Sequence, residues 1–266
     1  MKLLKNRHLF HLVDSSPWPF GSSLGALLLT TGLVCYMHKV LNSIYILLLG
    51  FLLILFIMFL WWRDVIREGT YQGKHTLIVQ RGLKIGFLLF IASEIAFFGG
   101  FFWAFFHSSI SPAVNLGAVW PPVNIIALNA WGVPMLNTVV LLLSGFSITW
   151  VHFSLLCAHY VNALKGFIVT ILLALFFTFL QIGEYLYAPF NISDSIYGTV
   201  FFALTGLHGL HVIIGTIFII VCFIRFIYLH FTTVHHLGFE FASWYWHFVD
   251  VVWLFLYVFV YVWGSW

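Results

Sequence analysis

Titratable side chains inside long apolar runs of this sequence include Glu94, Glu184, His208, His211, His247 and Asp250. Glu94 lies near the middle of Ile91–His107, and nothing close to it in sequence can neutralise it. An acidic side chain at the centre of a membrane helix costs roughly 2.5–3.5 kcal/mol on insertion scales. Glu94 is therefore expected to be protonated, or to face a partner inside a helix bundle rather than lipid. His208 and His211 are three residues apart and so share one side of a helix, and His247 and Asp250 repeat that spacing. Three chemistries are open to such a set. Histidines from two helices at matching depth could ligate haem or, with the carboxylates, a metal. A series of Glu and His could relay protons. Otherwise the same groups form a buried hydrogen-bonded network, His208, His211, His247 and Asp250, that joins helices and neutralises Glu94. No cysteine or clustered Glu-x-x-His pattern supports a metal, and no continuous row of such residues runs from one face to the other. Glu184 falls near a helix end, where snorkelling towards water would make it cheap.

The elements that must position these residues follow from composition. The 266 residues are 62% hydrophobic, 20% aromatic and only 7% charged, where soluble chains are about a quarter charged. Mean hydropathy is +1.05. Within hydrocarbon only helices or closed barrels satisfy the backbone, and the long unbroken apolar runs exclude the alternating pattern of a barrel. The fold class is an all-α membrane protein. Cys35, Cys157 and Cys222 each lie in or beside an apolar span without a CxxC, and read as buried thiols. No cleavable signal peptide is evident, and the net charge of +3 is no nucleic-acid signal, because the basic residues sort by membrane side.

Seven spans are expected, at 22–38, 40–62, 85–107, 135–157, 166–188, 196–224 and 241–263. The first two form a tight hairpin, entered through Trp18 as an interfacial anchor and closed by Trp61 and Trp62 at a headgroup boundary. Arg63 to Lys84 is the most charged stretch, read as beginning outside the bilayer and running into the third helix; it divides the chain into 1–75 and 76–266. Ser108 to Val133 is uncharged and rich in turn formers, including Pro112, Asn115, Gly117 and Pro121-Pro122, and is expected to lie on the membrane surface with Trp120 and Trp131 at the interface. Seven crossings put Lys2, Lys5, Arg7, Arg63, Arg67, Lys74, Arg81, Lys84, Lys165 and Arg225 on the N-terminal side and Lys39 alone on the other. The positive-inside rule then places the N-terminus in the cytoplasm or matrix.

The run His235-His-Leu-Gly-Phe-Glu-Phe-Ala-Ser-Trp-Tyr-Trp-His-Phe-Val-Asp250 resembles cytochrome c oxidase subunit III. So do Ser93-Glu94 through His107, Trp120-Pro-Pro, Ser147-Ile-Thr-Trp150, Ala188-Pro-Phe-Asn-Ile-Ser-Asp194, Gly206-Leu-His-Gly-Leu-His-Val-Ile-Ile-Gly215, and His11 to Pro19. The resemblance implies seven transmembrane helices in a two-helix plus five-helix arrangement around a lipid-filled V-shaped cleft. It implies no haem or copper in this chain, since both belong to partner subunits, and it implies structural phospholipids. The partners implied are the catalytic haem–copper subunit I, subunit II and accessory subunits. The role implied is support of proton uptake and turnover, with the cleft as an oxygen route. The embedded family carboxylate falls on Glu94, and headgroup positions fall on Trp61, Trp62, Glu68, His75 and Arg225. Arg67 and Arg225 supply cations for an anionic phosphate. Phe153, Tyr187 and Ser15 depart from common family residues. A mitochondrial inner membrane is expected, N-terminus in the matrix and C-terminus in the intermembrane space, ahead of a bacterial plasma membrane. The competing reading is a self-contained proton or small-solute transporter using Glu94 and the His208/His211 face.

Overall fold

Seven helices, each long and apolar enough to cross a membrane, account for most of the chain. The structure, a computed structural model, describes residues 9–114 and 117–265; Lys2, Lys5, Arg7 and Asn115 lie outside them. The helices are α1 Trp18–Met37, α2 Ser43–Thr70, α3 Leu77–Ile110, α4 Val133–Leu156, α5 Tyr160–Tyr187, α6 Ile196–Ile227 and α7 Leu237–Leu256. The last continues without a break through a π-helical turn, Tyr257–Val262, and a 3₁₀ turn, Trp263–Ser265. The chain separates into two compact units, one ending at Leu83 and the other Lys84–Trp266, so the division falls inside α3.

Several expected boundaries move. Arg63, Asp64, Arg67 and Glu68 are helical, forming the last two turns of α2, and α3 begins eight residues before Ile85, at Leu77. Good helix formers carry a span past its apolar part once their charged tips reach water. The linker shrinks to residues 71–76. Cys157 is exposed at the turn between α4 and α5, where Ala158 takes a left-handed φ of 57°; Cys222 is buried and Cys35 intermediate.

In the first unit, α1 and α2 pack backbone to backbone. A Cβ on Gly32 would stand 2.5 Å from the Leu47 amide nitrogen, and one on Gly50 would stand 2.4 Å from that of Leu29. Small residues admit this close approach where no hydrophobic force drives helices together in lipid.

In the second unit α7 is the spine, packed on α4 and α6. Trp246 and Trp253 are fully buried, and each has its indole N–H matched: Trp246 donates to Ser144 Oγ and Trp253 to Thr138 Oγ1, both at 2.9 Å. A buried indole without an acceptor would be costly, so these pairs fix α7 against α4. Trp120 is partly buried against this core: its ring packs on Phe105 at 5.7 Å and Tyr197 at 5.4 Å. Trp131 stays 73% exposed.

Candidate functional site

Glu94 on α3 meets His211 on α6: Oε2 lies 3.0 Å from Nε2. The Nδ1 of His211 is 2.7 Å from the Leu207 carbonyl, which can only accept, so Nδ1 carries a hydrogen. One proton must then sit between Nε2 and Oε2, since a carboxylate facing a bare nitrogen would set two acceptors against each other. Whether that proton rests on oxygen or nitrogen, the pair has no net charge. Phe98 closes edge-on over His211 at 5.0 Å and Tyr245 stacks on it at 6.2 Å, which restricts access to the pair.

The other histidines do not join it. A step of three residues turns a helix through 300°, so side chains at such positions diverge by about 60°. His208, fully buried, donates from Nε2 to the Val249 carbonyl at 3.2 Å and sits between Phe177 and Trp253. His247 reaches α4 instead, 3.3 Å from Thr149 Oγ1. Asp250 is buried beside Gly145, and its Oδ2 is 3.9 Å from His247 Nδ1, beyond hydrogen-bond range. The expected single network of His208, His211, His247 and Asp250 is thus three separate contacts. Among the described residues, no group of three or more His, Cys, Asp or Glu side chains comes close enough to hold a metal ion.

Glu184 does not snorkel. It is 8% exposed, and its Oε1 accepts from the Tyr261 hydroxyl at 2.5 Å and from Gln181 Nε2 at 3.2 Å; Gln181 in turn accepts from Asn137 at 3.3 Å. Sequence reasoning missed this chain because its members come from α4, α5 and the π turn. The only local signal was the three-residue spacing of Gln181 and Glu184.

The expected headgroup residues of the first unit gather at the end of α2. Trp61 and Trp62 are exposed, at 39% and 60%. Asp64 accepts from the Trp18 indole at 2.8 Å and pairs with Arg63 at 2.9 Å, while Arg67 stands 3.7 Å away with over half its side chain exposed. Glu68 lies 3.4 Å from His11 Nε2, and the His75 ring packs edge-on to His11 at 6.1 Å. Residues 9–14 are tied down further by an Asp14–Lys74 ion pair and by a Thr76 hydroxyl donating to the Leu9 carbonyl at 2.5 Å. In the second unit Arg225, at the end of α6, lies over the Phe231 ring at 4.6 Å. Burial and the nearby Arg225 charge push the His230 pKa down. At the same end Lys84 pairs with Glu240 at 2.6 Å. Phe153 and Tyr187, two of the departures noted above, are 65% and 86% exposed and constrain no site.

The family model described as cytochrome c oxidase subunit III matches residues 8–265. The chain is similar to cytochrome c oxidase subunit 3 of Canis lupus, 58% identical over 258 residues, covering 97% of this chain and 98% of that protein. It is 57% identical over 258 residues to the Ceratotherium simum protein of that name, with the same coverage. The Arabidopsis thaliana protein of that name is 57% identical over 259 residues, again 97% and 98% of the two chains. With seven membrane-length helices and the motif-bearing residues in place along nearly its whole length, the chain belongs to the cytochrome c oxidase subunit III family.

Proposed function

We propose that this chain is a non-redox, lipid-binding core subunit of a mitochondrial cytochrome c oxidase. It supports a partner that reduces oxygen and pumps protons. Haem and copper belong to the catalytic partner subunits; this chain contributes helices and phospholipid sites. The observation that carries the reading is the family match across 97% of the chain. The geometry supports it, because Glu94 and His211 form a hydrogen-bonded, neutral pair, while His208 is spent on the Val249 carbonyl. A self-contained transporter would need these groups connected.

The lipid role rests on Arg67, exposed at the headgroup end of α2 beside Trp61 and Trp62, and separately on Arg225 at the end of α6. Cations at that level attract an anionic phosphate, and tryptophan suits the glycerol region. The N-terminus then faces the matrix, which holds every basic residue except Lys39.

Mild solubilisation tests the reading. The chain should co-purify with the haem–copper oxidase, and Arg67→Ala and Arg225→Ala should each lower the number of phospholipids retained in native mass spectrometry. Proton or solute transport by the reconstituted chain, without association with an oxidase, would replace this reading with the transporter.

A further inference from the structure

Asp250 poses a problem that this chain does not solve. The residue is 6% exposed, yet its buried Oδ1 has no hydrogen-bond partner among the described residues. Its closest polar neighbour on α7, His247 Nδ1, is 3.9 Å from Oδ2. Thr149 gives its own hydrogen to the Gly145 carbonyl, so it accepts from His247 Nε2, and Nδ1 then presents a lone pair towards Asp250. The internal neighbour therefore offers no donor.

Depth excludes the usual remedies. Leu237–Ser265 is a continuous 29-residue helical run. At about 1.5 Å per residue, Asp250 lies roughly 20 Å from either end, close to the middle of a run long enough to span a hydrocarbon core of ~30 Å. Headgroups and bulk water do not reach that level from the lipid side. An unsatisfied polar group there costs several kcal/mol.

The surroundings are shaped for a visitor. Oδ2 fills the space that a side chain at position 145 would take, 2.5 Å from where its Cβ would stand, so Gly145 makes a low floor between α4 and α7. His247, itself 45% exposed at mid-depth, and Thr149 form the polar part of this floor. Phe146 and Val251, the chain neighbours of Gly145 and Asp250, are 72% and 50% exposed.

We infer that the α4/α7 groove over Gly145 receives a transmembrane helix of another oxidase subunit, and that this helix brings a hydrogen-bond donor (hydroxyl, amide, indole or cation) to Asp250. Lipid tails would cover Phe146 and Val251 equally well but supply no donor. The acid selects the protein partner. Small and polar residues framed by apolar ones are the usual composition of helix contacts in membranes. The inference rests on the family reading above, which identifies the assembly; the groove itself is assigned from this chain alone.

The test uses intact oxidase and an apolar diazirine photolabel dissolved in the bilayer. In the assembled complex Phe146 and Val251 should take up at least fivefold less label than in the detergent-released chain. Exposed Phe179 on α5 serves to normalise the labelling of the released chain. A second measurement follows retention: Asp250→Leu should release the chain from the oxidase at a lower detergent concentration than wild type, with Asp250→Asn closer to wild type. Equal labelling of Phe146 and Val251 before and after release overturns the proposal, even if Asp250→Leu fails to fold. Retention of a folded Asp250→Leu at wild-type strength overturns it as well, and leaves Asp250 with His247 alone. If the chain never co-purifies with an oxidase, the family-based function has failed, and the proposal, which names an oxidase helix as the occupant, falls with it.

Discussion

Replacing Glu94 separates two properties that the wild-type side chain combines, hydrogen bonding and charge. Gln retains a donor for His211 Nε2, whereas Ala leaves that nitrogen without a partner in an aromatic enclosure. Leaving one buried polar group unpaired costs about 1–3 kcal/mol. Glu94→Ala should therefore lower the thermal midpoint for loss of the subunit from the oxidase, and Glu94→Gln should shift it much less. The haem absorption spectrum of the assembled complex should be unchanged in both, as the proposed non-redox role requires; a lost haem band would refute that role. The sequence showed that Glu94 needs a partner and that α6 carries two candidate histidines. It did not show which. The choice depends on the rotation of α6 against α3, and a three-residue spacing leaves the two rings pointing apart. Asp250 was legible as a buried acid, whereas Glu184 read as a snorkelling one; their surroundings come from facing elements, α4 for Asp250 and both α4 and the π turn for Glu184, and leave no local pattern.

At the scale of elements, the segment running from Leu9 to Trp18 is a strap across the end of α2. It is held by Asp14–Lys74, His11–Glu68, the Leu9 carbonyl and the Trp18 indole. The hydrogen bond from Lys74 holds the Asp14 carboxyl below its ordinary value of 3.8. A folded pKa below the unfolded one means that the tie is intact above the ordinary value and is lost as pH falls through the lowered one. The strap should therefore stay closed down to about pH 4 and loosen in stronger acid. Lys74→Ala should open it at neutral pH as well, seen as faster hydrogen exchange over residues 9–17 after correction for intrinsic rates. Exchange unchanged in that variant would mean that the remaining contacts hold the strap without the ion pair. The existence of every helix was readable from apolar run length. The ends were not, because the charged last turns of α2 and first turns of α3 look like linker when hydropathy alone is read. Their helical propensity carries them on.

At the scale of the whole molecule, an odd number of crossings puts the two termini on opposite sides of the membrane. The turn between α4 and α5 then shares a side with the N-terminus, and it carries the exposed Cys157. A membrane-impermeant maleimide should label Cys157 only from the matrix face, in inside-out inner-membrane vesicles. Labelling from the intermembrane face in mitoplasts would reverse the orientation or remove a crossing. Cys222, buried in α6, gives an internal negative control. Of the helix ends in this chain, the last bears most on the arrangement of its acids. The wide turn at Tyr257–Val262 holds one residue more than an ordinary turn would. Deleting a residue there would yield a more regular backbone, but every side chain beyond would swing about 100° around the axis. Tyr261 would leave Glu184 with only an amide to face. A smooth finish and a well-kept acid are therefore alternatives here, and this chain is built for the acid.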